Sequence, residues 1–139
     1  MKRILIINGP NLNLLGKREP LLYGSESFET VFEKLQSEFG DVALSYLQKN
    51  DEDGVVEAIQ SGAEYDAVVL NPAAFSHTSL AVADAVAAID TPVIEVHISN
   101  VFARDPKRHH SYVSKYAAAV IVGAGLDGYR LGIIQALRF

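Results

Sequence analysis

Residues 67–97 read AVVLNPAAFSHTSLAVADAVAAIDTPVIEVH. Two aliphatic runs, AVVLN at 67–71 and PVIEVH at 92–97, flank a helical stretch at 77–89. A polar loop, PAAFSHTS, leads from the first run into that helix. Strands that are nearly continuous in apolar residues, rather than alternating, belong to parallel sheets with helices on both faces. The same alternation extends outward in both directions. Runs at 3–8 (RILIIN), 42–48 and 118–122 (AAVIV) read as further strands, and stretches at 27–39, 54–62 and 128–137 as helices.

Five strands alternating with helices in 139 residues predict an α/β fold, a doubly wound five-stranded parallel sheet. The simplest arrangement is flavodoxin-like, with strand order 2-1-3-4-5. No repeat, low-complexity tract or linker divides the chain, so residues 1–139 are expected to form a single catalytic domain. With 49% apolar and 21% charged residues there is enough to build one core.

Net charge is −5, unevenly placed: residues 1–18 carry +4, residues 19–95 carry −13 and residues 96–139 carry +4. Overall acidity argues against coating a phosphate backbone, so nucleic acid is not an expected partner. If the first loop meets the segment at 104–108, the two form a cationic pocket suited to a small anion. There is no cysteine, which removes disulfides, thiolate nucleophiles and cysteine-based metal sites. The apolar run at 4–7 is too short for a signal-peptide core of about 7–15 residues or a membrane span of about 20. A cytoplasmic protein without membrane contact is the expectation.

In open α/β sheets the site lies beyond the carboxyl ends of the strands. The polar residues there are Asn8, Asn71, and Glu95 with His97. Glu95 and His97 are two apart on a strand, so their side chains leave the same face. A carboxylate beside an imidazole orients it, fixes its tautomer and raises its pKa, as a proton donor near neutrality requires. Arg18 and Tyr23 share a loop punctuated by Gly16, Pro20 and Gly24, the composition of an ordered but movable cover. A phenol ionises near pH 10; lowering that by about three units needs roughly 4 kcal/mol, which Arg18 together with Arg104 or Arg108 is placed to supply. His77, Thr78 and Ser79 lie where a loop becomes a helix, with Ser76 or Thr78 as a candidate N-cap. Asp84, seven residues past His77, shares its helical face within an Ala and Val stripe. A lone acid there needs a partner in the site or in a neighbouring subunit.

Other chemistries find less support. Gly123, Gly125 and Gly128 spell G-x-G-x-x-G, yet too little chain follows for the next strand and acid of a dinucleotide site, so a tight strand-to-helix turn is the reading. His109 and His110 are adjacent and do not match helical zinc spacing; no metal and no cofactor are expected. There is no G-x-S-x-G elbow. A phosphoacceptor domain would want acids where Asn8 and Asn71 stand, and a flavin carrier a Ser/Thr-rich first loop where Pro10, Asn11 and leucines stand.

The loops carry long motifs: NGPNLNLLGKREPxxYG at 8–24, NPAAFSHTS at 71–79, EVHISNV at 95–101, RHHSYVS at 108–114 and GxGxxGYxL at 123–131. Together they resemble type II 3-dehydroquinate dehydratase over almost the whole chain. That resemblance implies a lyase reversibly dehydrating 3-dehydroquinate to 3-dehydroshikimate through an enolate, in the shikimate pathway or quinate catabolism, without metal or cofactor. It implies Tyr23 as the base, ionised by Arg18; Asn11 at the enolate oxygen through a water; and His97, steered by Glu95, as the acid. It further implies a carboxylate cradle of Asn71, the amides of Ile98 and Ser99 and the Ser99 hydroxyl, with His77 and Arg108 on ring hydroxyls. Arg104 resembles a mobile arginine closing with the Tyr23 loop, and Asp84 an acid tying a neighbouring subunit to the site. The family assembles as trimers gathered into dodecamers. Ala73 stands where that family commonly has Gly, Phe75 and Ser76 where Tyr and Thr are commoner, Lys107 where an aromatic precedes the arginine, and Asp53 where Gly is frequent. If position 73 needs a positive φ, Ala there costs about 1 kcal/mol.

Overall fold

Five strands form one parallel sheet in the order β2-β1-β3-β4-β5: β1 (Lys2–Asn8), β2 (Val42–Gln48), β3 (Ala67–Asn71), β4 (Val93–His97) and β5 (Ala119–Val122). The structure, a computed structural model, describes residues 1–17, 19, 21 and 25–139. Among the described residues the α-helices are α1 (Phe28–Glu38), α2 (Glu52–Ser61), α3 (Leu80–Ala88) and α4 (Asp127–Ala136). None is long and apolar enough to cross a membrane.

Strand alternation divides the core into two layers. Ile4, Ile6, Val69, Ile94 and Val96 pack against α1 and α4, whereas Leu5, Ile7, Val68, Leu70 and Val93 pack against α2 and α3. Each such aliphatic side chain, taken wholly out of water, contributes about 1.5–3 kcal/mol. The parity of β4 has a chemical consequence. Val93, Glu95 and His97 share the α2–α3 face, so Glu95 occupies a position where the layer would otherwise take an aliphatic residue, and it is 0% exposed.

Two helix starts differ from the sequence reading. α2 begins at Glu52, two residues before Gly54, because Asp51 caps it by accepting from the Gly54 amide at 3.2 Å. α3 begins at Leu80 rather than His77: residues 73–77 form a tighter 3-10 turn, and Ser79, not Ser76 or Thr78, caps the helix by accepting from the Val82 amide at 3.0 Å. The Ser79 hydroxyl in turn donates to Glu52 at 2.6 Å, tying the start of α3 to that of α2.

The glycine triplet makes the expected turn. Gly123 and Gly125 have φ of +83° and +66°, a region where a side chain is strained. Their amides donate to the carbonyls of His97 (3.1 Å) and Ile98 (3.0 Å), so this turn clamps the end of β4 and the residues just beyond it.

Candidate active site

Beyond the carboxyl ends of β1, β3 and β4 lies an open cavity of about 520 Å3, counting its mouth. Asn11 from the first loop, Asn71 and His77 after β3, and His97, Ile98, Ser99, Arg104 and Arg108 around and after β4 all line it. Residues of the first loop and of the 104–108 segment therefore do line one concavity, and both of its guanidinium groups among the described residues, Arg104 and Arg108, come from the latter. Tyr23 and Arg18 lie outside the described residues. Asp84 does not line the cavity. With α3 starting at Leu80, His77 and Asp84 are not on one helix, and Asp84 sits on an exposed face beside Leu80, Tyr112 and Tyr116.

The centre of the site is the Glu95–His97 pair. His97 Nε2 meets Glu95 Oε2 at 2.5 Å, with the imidazole 6% exposed. Three donors surround the carboxylate: besides His97, the Ser111 hydroxyl donates to Oε2 at 2.8 Å and the Ser114 hydroxyl to Oε1 at 2.6 Å. Burial opposes its ionisation, yet the bonds from His97, Ser114 and Ser111 outweigh it and hold the carboxyl below the usual carboxylate range. With Nε2 committed to an ionised partner, Nδ1 is the nitrogen left to exchange a proton in the cavity.

His77 stacks against this ring, centroids 6.0 Å apart. Its Nδ1 donates to the His110 carbonyl at 2.8 Å. Burial above all, with the neighbouring His97 and Arg108, pushes the His77 pKa down, so it stands neutral with Nε2 free to accept from a hydroxyl. Ile98 and Ser99 also line the cavity. Among the described residues neither N–H donates to another backbone carbonyl. Arg104 donates to the Ser99 hydroxyl oxygen at 3.2 Å, and the His109 ring donates to the Arg104 carbonyl at 3.1 Å, fixing how that loop turns. Arg108 has no ion-pair partner among the described residues. Backbone amides, a hydroxyl and guanidinium groups lining one space suit a small polyhydroxylated acid.

Ser111, Ser114 and Tyr129 were missed as contributors. The signal was present in the sequence: an acid inside a core strand must find donors, and two serines three residues apart follow in the basic loop. The double variant Ser111→Ala/Ser114→Ala is expected to lose about 3 kcal/mol at neutral pH, from two hydrogen bonds to a buried charge. Because the folded carboxyl lies below its unfolded value near 4.5, the stability it supplies is complete above that value and disappears as pH falls through the folded one. Losing the serines raises the folded value, so the variant's acid unfolding should begin at higher pH than the parent's; urea melts from about pH 3 to 8 measure it.

Ala73 occupies the left-handed region, with φ of 52°, and its amide donates to Asn71 Oδ1 at 3.0 Å. A side chain there costs about 1–2 kcal/mol, and glycine gives part of that back through unfolded-chain entropy. Ala73→Gly should accordingly raise stability by about 0.5–1 kcal/mol in thermal or urea melts, with the cavity unchanged.

A doubly wound α/β protein with a buried carboxylate–imidazole pair facing cationic loops, at the carboxyl edge of its sheet, is an acid–base catalyst's scaffold for a small anion. The class II dehydroquinase model matches residues 2–137, and the chain belongs to that family of enzymes. The 3-dehydroquinate dehydratase of Vibrio cholerae is 50% identical over 139 residues, spanning 98% of this chain and 93% of that protein. Among solved structures, a type II dehydroquinase from Propionibacterium acnes superposes with a TM-score of 0.95 at 39% identity, covering 100% of this chain and 98% of that one. A second, from Butyrivibrio crossotus, gives 0.94 at 38% identity, covering 98% and 97%.

Proposed function

We propose that this protein catalyses the reversible dehydration of 3-dehydroquinate to 3-dehydroshikimate, with a tyrosinate base and a histidine acid. The observation that carries the reading is the buried Glu95–His97 pair at the wall of a cavity also lined by Arg104 and Arg108. The Tyr23 phenolate takes a proton from the carbon next to the ketone, and the electron pair moves onto the ketone oxygen as an enolate. Arg18 keeps the phenol ionised. Asn11, through an ordered water, stabilises the oxyanion with a donor already in place. His97 then gives its Nδ1 proton to the departing hydroxyl; the C–O bond breaks, water leaves and the enolate collapses to a conjugated enone. The ring returns to the neutral form whose Nε2–H still donates to Glu95.

Asn71, the Ile98 and Ser99 amides and the Ser99 hydroxyl hold the substrate carboxylate, His77 and Arg108 the ring hydroxyls, and Arg104 closes over it. Asp84, on an exposed face outside the cavity, acts across a contact with a second copy, in an assembly of trimers gathered into a dodecamer. The reaction belongs to the shikimate pathway or to quinate breakdown, in the cytoplasm.

Purified protein mixed with 3-dehydroquinate should generate the ultraviolet absorbance of a conjugated enone without any added metal or cofactor. A folded protein that leaves the spectrum unchanged contradicts the proposal.

A further inference from the structure

Three buried polar side chains that take no part in the acid–base chemistry form a relay beneath the cavity floor. Asn8 and Asn71 end β1 and β3 side by side in the sheet register, 0% and 3% exposed. Tyr129, in the first turn of α4 and 0% exposed, stands between them. Its hydroxyl donates to Asn8 Oδ1 at 2.7 Å and accepts from Asn71 Nδ2 at 2.9 Å.

The direction of every bond in this relay is forced. A backbone amide only donates, so the Asn71 atom meeting the Ala73 N–H at 3.0 Å is the oxygen, and the other end of that side chain is NH2. One of its hydrogens goes to the Tyr129 oxygen. The Tyr129 proton must then go to Asn8, whose own NH2 points towards the Tyr46 hydroxyl at 3.5 Å. Burial raises the Tyr129 pKa far above neutrality, so the proton stays on the phenol. Asn71, which lines the cavity, is left with one N–H to offer a ligand, its oxygen already being engaged by the Ala73 amide.

We infer that Tyr129 is a positioning residue: through Asn71 it fixes the orientation of the amide at the cavity floor, holding one N–H ready for an oxygen acceptor such as a carboxylate. This rests on the cavity being the 3-dehydroquinate site. Tyr129 is well placed for the task because its ring is already fixed, edge-on to Phe28 with centroids 4.8 Å apart, so the hydroxyl needs no further ordering.

Tyr129→Phe keeps that ring contact and removes one oxygen. The expected result is a KM for 3-dehydroquinate raised about tenfold with kcat within about threefold of the parent, because one of the two anchors of the Asn71 amide is gone. An unchanged KM in the folded variant overturns the inference. So does a parallel fall of kcat and kcat/KM, which marks a structural role only. Should Tyr129→Phe fail to fold, Asn8→Ala probes the relay from its far end while leaving the ring and the Asn71 contact in place. There a KM rise of about threefold at constant kcat supports the inference, and no rise overturns it. A parent protein with no activity on 3-dehydroquinate sinks the functional reading, and this inference with it; an active parent beside an unaltered variant sinks the inference alone.

Discussion

His97→Gln should fold like the parent and turn over 3-dehydroquinate about 10^2- to 10^4-fold more slowly, the usual contribution of a positioned general acid. Glutamine is the demanding choice. Its amide nitrogen reaches the place of the imidazole Nε2 and can still donate to Glu95, the contact that spans 2.5 Å in the structure. The buried carboxylate therefore keeps its three donors, and the α2–α3 layer keeps its packing. What disappears is the imidazole proposed above as the acid. Progress curves of enone formation, alongside a thermal melt, separate the two effects. Activity above about one-tenth of the parent's would mean that another group protonates the leaving hydroxyl.

Tyr23→Phe is expected to be more damaging still, with turnover reduced by about 10^3-fold or more while equilibrium binding of 3-dehydroquinate stays near the parent value. An ordinary phenol is only about one part in a thousand ionised at pH 7, so a tyrosinate base requires cations near it. The cavity already holds the Arg104 and Arg108 guanidinium groups, and the proposed mechanism assigns Arg18 the same task. If these cations do the ionising, Arg18→Ala should move the rising limb of the pH–rate profile to higher pH, whereas Tyr23→Phe should remove the limb altogether. Substantial turnover in Tyr23→Phe would reassign the base.

Much of the fold was legible because buried parallel strands cannot hide. The runs at 3–8, 67–71 and 92–97 are apolar on both faces, and the structure places their strands within one residue of those limits. Helix starts were harder. Ser76, Thr78 and Ser79 all offer hydroxyls, and the choice of Ser79 depends on Glu52, 27 residues away, holding it. In the site, charge placement named the two basic loops without requiring them to meet, and the shared face of Glu95 and His97 followed from strand alternation. The partners of that pair did not. Ser111 and Ser114 lie 16 and 19 residues from Glu95, and Tyr129 lies 58 from Asn71 and 121 from Asn8. Such contacts arise only when separate elements pack: the sequence says that a core acid needs donors, but not which residues come to supply them. Asp84 shows the reverse error, since its grouping with His77 assumed one continuous helix where the chain makes a 3-10 turn.

Glu95 stands in a core layer with no solvent at all. A buried core position and the carboxylate proposed to steer the acid are thus the same residue, and a replacement at 95, 111 or 114 is expected to lower the folded yield whatever it does to turnover. In a mutational library, a screen for expression alone would enrich the parental residues at these three positions, and growth assays would score their loss as instability.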